Sequence, residues 1–212
     1  DQVLTRLRSE PKPLRDELFA EGTVAPPPLP LLVAGSTWAE DEAVLIETAR
    51  ALRERLRFVF VPHEPTEAHL EDLESRISAA GLESHRYSRT TSWPRGSILL
   101  VDQLGILAEL YRKGRFAFVG GSFRKTVHSV MEPLAAGCLT FVGPLHHNNR
   151  EALEFRGIPV GNVREVHLQG GAGKTPSPLI TCVQPVEDAI TFTRLLEIAM
   201  ETFNDESQAR IL

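Results

Sequence analysis

The sequence predicts an α/β fold, a doubly wound and mainly parallel sheet of the Rossmann-like kind, and three observations carry that prediction. Short apolar runs alternate with helical patterns at βαβ spacing from residue 31 to residue 155. The runs are continuously apolar, as in LLVA at 31–34, SILLV at 97–101 and LTFV at 139–142, which suits strands covered on both faces. Several end in glycine (Gly35, Gly120, Gly143), where a chain leaving a strand turns towards a helix.

Taken in order, the chain opens with a short helical pattern at 1–9, followed by Pro11, Pro13, Pro26, Pro27, Pro28 and Pro30. Proline fixes φ and turns its predecessor away from helix, so residues 1–30 read as a linker with a docking segment, and 31–212 as one domain. The run 31–34 is the first strand. Thr37 with Glu40 forms a capping-box signature, and Val44, Leu45, Thr48, Leu52 and Leu56 line one face of the helix that follows. RFVFV at 57–61 is a second strand, and Thr66 caps a helix that stops at Gly81. A short strand at 85–88, a strand at 97–101 and a helix over 104–112 come next. Strands at 116–119 and 139–142 alternate with helices at 130–136 and 148–155. Weaker strand patterns fall at 158–160 and 179–183, a loop at 169–178 lies between them, and a broad apolar face marks a terminal helix over 186–203.

Composition bounds the function. With 212 residues, 42% hydrophobic and 24% charged, the chain suits one sizeable core. Its formal net charge of −5, with scattered basic residues, argues against nucleic acid as a partner, so any anionic ligand is held locally. Cys138 and Cys182 lie far apart among apolar or small neighbours and read as buried thiols of a reducing compartment. No apolar run approaches the ~20 residues that cross a bilayer, and DQVLTRLRSE has no signal-peptide core. The expectation is a soluble, cytoplasmic chain. It begins without Met, as a fragment would.

Ligands of open parallel sheets bind beyond the carboxyl ends of the strands. Here those ends carry Gly35-Ser36-Thr37, Pro62-His63-Glu64, Asp102, Gly120-Gly121-Ser122 and Gly143-Pro144. Gly120 and Gly121 either let backbone approach a phosphate or sugar, or simply turn the chain. Arg124 and Lys125 suit a phosphate, though isolated basic residues are commonly solvated surface. His128 reads either as a donor or proton-transfer group or as a structural hydrogen bonder. Glu132 completes a capping box with Ser129, and a carboxylate there equally suits the hydroxyls of a ribose.

Three signals are set aside. GGAGKT at 170–175 lacks the first Walker A glycine, since Leu168 stands there. His128, His146 and His147 have no metal-ligand spacing, so neither metal nor cofactor is expected. No GxSxG elbow is present.

Read jointly, six motifs between residues 31 and 151 resemble the C-terminal half of the Kdo transferases, which move 3-deoxy-D-manno-octulosonic acid from CMP-Kdo onto lipid A precursor. They are Gly35-Ser36-Thr37 before Glu40 and Glu42, Val61-Pro62-His63-Glu64-Pro65, and Val101-Asp102-x-x-Gly105 before Leu110-Tyr111. Next come FVGGS at 118–122, Phe123-x-Lys125-x-Val127-His128-Ser129-x-Met131-Glu132, and Gly143-Pro144 followed by Asn148 with Glu151-Ala152. Asp1-Gln2-Val3 is similar to the start of the family's interdomain segment. Arg124 and Thr126 stand where the family usually has glycine, Ser129 where it has asparagine, and Asn149 where an aromatic is common.

The resemblance implies the C-terminal half of a GT-B fold, whose two Rossmann-like domains face each other across a cleft. It implies a donor site of Ser36, Thr37, Pro62, His63, Gly120, Gly121, Ser122, Lys125, His128, Ser129, Glu132 and Asn148, with Glu132 on the ribose and Lys125 near the phosphate. Charge building on the CMP leaving group would be stabilised here by helix N-termini and Lys125. The acceptor groove, membrane anchor and catalytic base belong to the family's N-terminal domain, so these residues are expected to bind nucleotide without transferring sugar. In full-length form the resemblance implies a cytoplasmic enzyme at the inner membrane of a Gram-negative bacterium. Two alternatives are a GT-B domain for a UDP-sugar and a noncatalytic interaction domain on the same scaffold.

Overall fold

The computed structural model describes residues 14–20, 28–160 and 180–203. Seven strands form one sheet: β1 (Leu31–Thr37), β2 (Arg57–Pro62), β3 (Ser84–Arg86), β4 (Ile98–Leu100), β5 (Phe116–Val119), β6 (Leu139–Val142) and β7 (Val183–Pro185). Between and after them lie helices α1 (Ala39–Leu52), α2 (Glu67–Ala79), α3 (Leu107–Tyr111), α4 (Met131–Ala135), α5 (Arg150–Arg156) and α6 (Ala189–Thr202). A 3-10 turn, Asp16–Leu18, precedes β1.

Every pairing in the sheet is parallel, and the strand order is β3-β4-β2-β1-β5-β6-β7. From β1 the chain winds out through β2 towards one edge, then returns to pair β5 on the other side of β1. The order therefore reverses between β1 and β5. At such a switch point the two connections leave in opposite directions and open a crevice beyond the carboxyl ends. The expected doubly wound sheet is the one observed.

Period-two alternation explains how the sheet is covered twice. Leu32, Ala34, Phe58, Phe60, Ile98, Leu100, Phe116 and Phe118 join one apolar cluster, to which α1 adds Leu45, Ala49 and Leu52, and α6 adds Phe192, Leu195 and Leu196. Their strand neighbours Leu31, Val33, Val59, Val61, Leu99, Val101 and Ala117 form a second cluster with Leu110 and Tyr111 of α3, Trp93 and Leu18. Both thiols are free and buried; burial pushes Cys138 up to about 12.

The boundaries show where local signals yield. β5 and β6 fall on the expected residues, because each apolar run is closed by glycine. β1 runs three residues further, so α1 begins at Ala39 with Trp38 as its N-cap, and the Thr37–Glu40 capping pair is not formed. The acidic partner is Asp41 instead, accepting the Trp38 N–H at 3.0 Å. Thr66 does cap α2, accepting from His69 N–H at 3.3 Å. α3 is shorter than expected because Gly105 takes φ +90° and breaks the first turn. The strand pattern at 158–160 is reduced to an antiparallel bridge between Pro159 and Thr181. The helix expected at 1–9 and the loop at 169–178 lie outside the described residues.

Candidate functional site

The crevice at the switch point is built first by backbone. At the end of β1, Ser36 adopts φ +54°, and the register with β2 shifts between Gly35 and Thr37. That bulge turns the Ser36 carbonyl towards β5, where a Cβ on Gly120 would lie 2.2 Å from the oxygen. Only glycine fits there. Gly121 takes φ +93°, and any side chain would meet the Thr126 carbonyl at 2.2 Å. This folds residues 121–126 back into a tight loop, with the Arg124 and Lys125 N–H groups on the Gly121 carbonyl.

Asp41, in the first turn of α1, holds that loop. Its carboxylate accepts the N–H groups of Gly121 at 2.7 Å, Phe123 at 3.2 Å and Trp38 at 3.0 Å, and it is fully buried. Burial raises its pKa above the ordinary carboxylate value, against the pull of these three donors. Next to it, Thr37 donates to Glu42 at 3.1 Å, and the buried Glu42 also meets His69 at 2.8 Å and Arg76 at 2.5 Å. Ser122 closes the other side: its buried Oγ accepts the Gly143 N–H at 2.6 Å, tying the end of β5 to the end of β6.

Above this floor sits a cluster of rings that spacing alone does not announce. Trp38 lies 4.8 Å from His63, and His63 stacks on His128 at 4.4 Å. The indole Nε1–H donates to His128 Nε2 at 3.2 Å, so that nitrogen is the unprotonated one. Burial and the neighbouring His63 lower the His128 pKa, in keeping with a neutral ring. Arg124 places its guanidinium 4.2 Å from the centre of the Trp38 ring. Asn149 supports the cluster from below, donating to the His128 carbonyl at 3.2 Å while its Oδ1 accepts the Ala152 N–H at 2.8 Å as the N-cap of α5. Asn149→Ala is expected to lower stability by about 1 kcal/mol, as loss of an N-cap does, read from the urea midpoint.

The structure brings Ser36, Thr37, His63, Gly120, Gly121, Ser122 and His128 together around the crevice, but in different capacities. The side chains of Thr37 and Ser122, and the N–H groups of Gly120 and Gly121, are engaged within the protein; Gly120 N–H donates to the Gly35 carbonyl at 2.9 Å. Ser36, His63, Arg124, Lys125 and His128 retain exposure. Pro62 is buried beneath His63, and Asn148 is exposed beside Asn149. The reciprocal cap expected at Ser129 and Glu132 is not formed: Val130 is the N-cap of α4, without a side-chain cap bond, and Ser129 Oγ accepts the Met131 N–H at 3.3 Å instead. Glu132 is exposed on the five-residue α4. Trp38 and Asp41 are the residues that motif reading missed. An acidic residue in the first turn of a helix reads as dipole compensation, and an aromatic before it reads as packing.

His146 is buried, its Nδ1–H donating to the Gly143 carbonyl at 2.8 Å. Among the described residues no group of three His, Cys, Asp or Glu side chains is placed to hold a metal ion, and no helix is long and apolar enough to cross a membrane.

No family model matches the chain. It is 31% identical over 136 residues to a 3-deoxy-D-manno-octulosonic acid transferase of Chlamydophila psittaci, a match covering 62% of this chain and 30% of that protein. Against the transferase of the same name from Aquifex aeolicus, identity is 27% over 128 residues, covering 58% and 35%. The chain thus spans about a third of the length of the curated relatives it matches. In structure it is similar to the C-terminal CMP-Kdo binding domain of WaaA from Acinetobacter baumannii, with a TM-score of 0.59, 21% identity, and 82% and 79% of the two chains covered. The chain is thus similar to the 3-deoxy-D-manno-octulosonic acid transferases over about a third of their length, and it shares the Rossmann-like α/β fold of that CMP-Kdo binding domain.

Proposed function

We propose that this chain is the donor-binding domain of a Kdo transferase and that the β1/β5 crevice takes CMP-Kdo. The observation that supports the reading is the approach of Ser36 to Gly120 and the stacking of His63 on His128 at the switch point of a sheet whose curated matches are named 3-deoxy-D-manno-octulosonic acid transferase. In this reading Lys125, with Arg124 beside it, neutralises the phosphate of CMP as the bond to the sugar breaks. Gly120 and Gly121 shape the loop rather than donate to the phosphate, because their N–H groups are already bonded to Gly35 and Asp41. Glu132 accepts the ribose hydroxyls, and Ser36, Ser129 and Asn148 complete the polar rim.

The general base and the acceptor groove belong to an N-terminal domain outside these residues, with residues 1–30 as the interdomain segment and 31–212 as the donor domain. The acceptor is then a lipid A precursor, and the full-length enzyme works in lipopolysaccharide biosynthesis at the cytoplasmic face of the inner membrane. Residues 1–212 alone bind without turning over; measurable transfer by this chain would reject that division of labour.

Calorimetric titration with CMP, UMP and UDP tests the donor. CMP is expected to bind tightest. Tighter UDP binding would assign another nucleotide sugar, and no saturable binding at millimolar concentration would favour an interaction domain. Glu132→Ala is expected to weaken CMP about tenfold, the loss of a charge-assisted bond of ~1.5–3 kcal/mol.

A further inference from the structure

The proposed donor reading leaves open how the base of the nucleotide is held, and the ring cluster supplies an answer. Trp38 is half-buried at the mouth of the crevice, one residue beyond β1 and at the entry to α1. Its orientation is fixed on two sides: Nε1–H is bonded to His128 at 3.2 Å, and the His63 ring lies tilted against it at 4.8 Å. What covers the ring at 4.2 Å is the Arg124 guanidinium, a planar, cationic group on an exposed side chain. A nucleobase is the other planar group that stacks on such a face, and stacking tolerates the exchange because it needs only a π surface.

We propose that Trp38 is the platform for the nucleobase of the ligand, which takes the place of the Arg124 guanidinium on the indole. The inference rests on the nucleotide reading above and specifies which residue meets the base. Arg124 leaves the ring and remains beside Lys125, where its charge faces the phosphate that the base carries with it. His128 and His63 act as positioning residues that keep the indole from turning; neither needs to touch the base.

The chain offers a direct probe, because it has only two tryptophans, Trp38 and Trp93. Trp93 is buried on the opposite cluster, so a Trp93→Phe variant reports Trp38 alone. CMP is expected to quench that emission saturably, with the same midpoint as calorimetry on the wild-type chain. Trp38→Ala is expected to weaken CMP at least tenfold while leaving ribose 5-phosphate binding unchanged, and Trp38→Phe to recover most of the loss. Equal weakening of CMP and ribose 5-phosphate, or CMP binding that leaves Trp38 emission and the alanine variant unaffected, would overturn the inference while the nucleotide site itself stands. Absence of CMP binding to the wild-type chain overturns the donor reading and this inference together. Should Trp93→Phe not fold, the wild-type emission change, compared with that of Trp38→Phe, gives the same discrimination.

Discussion

Asp41→Ala is expected to lower the melting temperature of this chain by about 10 °C, from a loss of about 3–4 kcal/mol. The substitution removes the common acceptor of three backbone N–H groups, those of Trp38, Gly121 and Phe123. Buried donors left without a partner each cost about 1–3 kcal/mol, and relief from burying a carboxylate offsets part of that. The effect reaches the site because the donors come from two segments. Trp38 starts α1, whereas Gly121 and Phe123 belong to the loop that carries Arg124 and Lys125. Nucleotide binding is therefore expected to weaken along with stability. A shift of less than 3 °C in calorimetric scans would mean that water reaches these groups and that the clamp is not structural.

The pH dependence of the same residue has a definite sign. Burial holds the folded-state pKa of Asp41 above its unfolded value of 3.8. The folded chain then binds more protons between the two values, so Asp41's contribution is complete below the unfolded pKa and is lost as pH rises through the folded one. Asp41→Asn should abolish that downward slope of stability with pH. If the slope of the wild type relative to Asp41→Asn ran upward across this window, the three N–H donors would outweigh desolvation.

How much of this was legible follows from what kind of force each feature obeys. Strands β5 and β6 could be read to the residue, since continuous burial and a terminal glycine are both local signals. The start of α1 could not. Thr37 and Glu40 offered a satisfactory cap, yet β1 continued through Thr37 because its carbonyl receives the His63 N–H from beyond β2 and its hydroxyl meets Glu42. Asp41 was hidden for the complementary reason: its partners Gly121 and Phe123 lie 80 and 82 residues away. The glycines marked the place of the crevice, and their bonding partners decided what they do there.

Gly120 separates a turning role from a close-approach role, and Gly120→Ala is the second large effect. A Cβ there would lie 2.2 Å from the Ser36 carbonyl oxygen and 2.7 Å from the Thr37 Cα. Both obstacles are backbone, so no side chain can rotate aside; β1 and β5 must part where they are joined by the Gly120 N–H bond to Gly35. The expected cost is about 3 kcal/mol or more, at or above the upper end for overpacking. Loss of CMP binding should accompany it even in molecules that remain folded, because the bulge at Ser36 and the loop at Gly121 are set by this contact. Gly81→Ala provides the control. Gly81 has φ +73° but nothing within 4 Å of the added atom, so strain alone acts there, at about 1 kcal/mol. Urea denaturation of the two variants side by side tests the distinction: equal destabilisation would show that β1 and β5 can yield at the switch point.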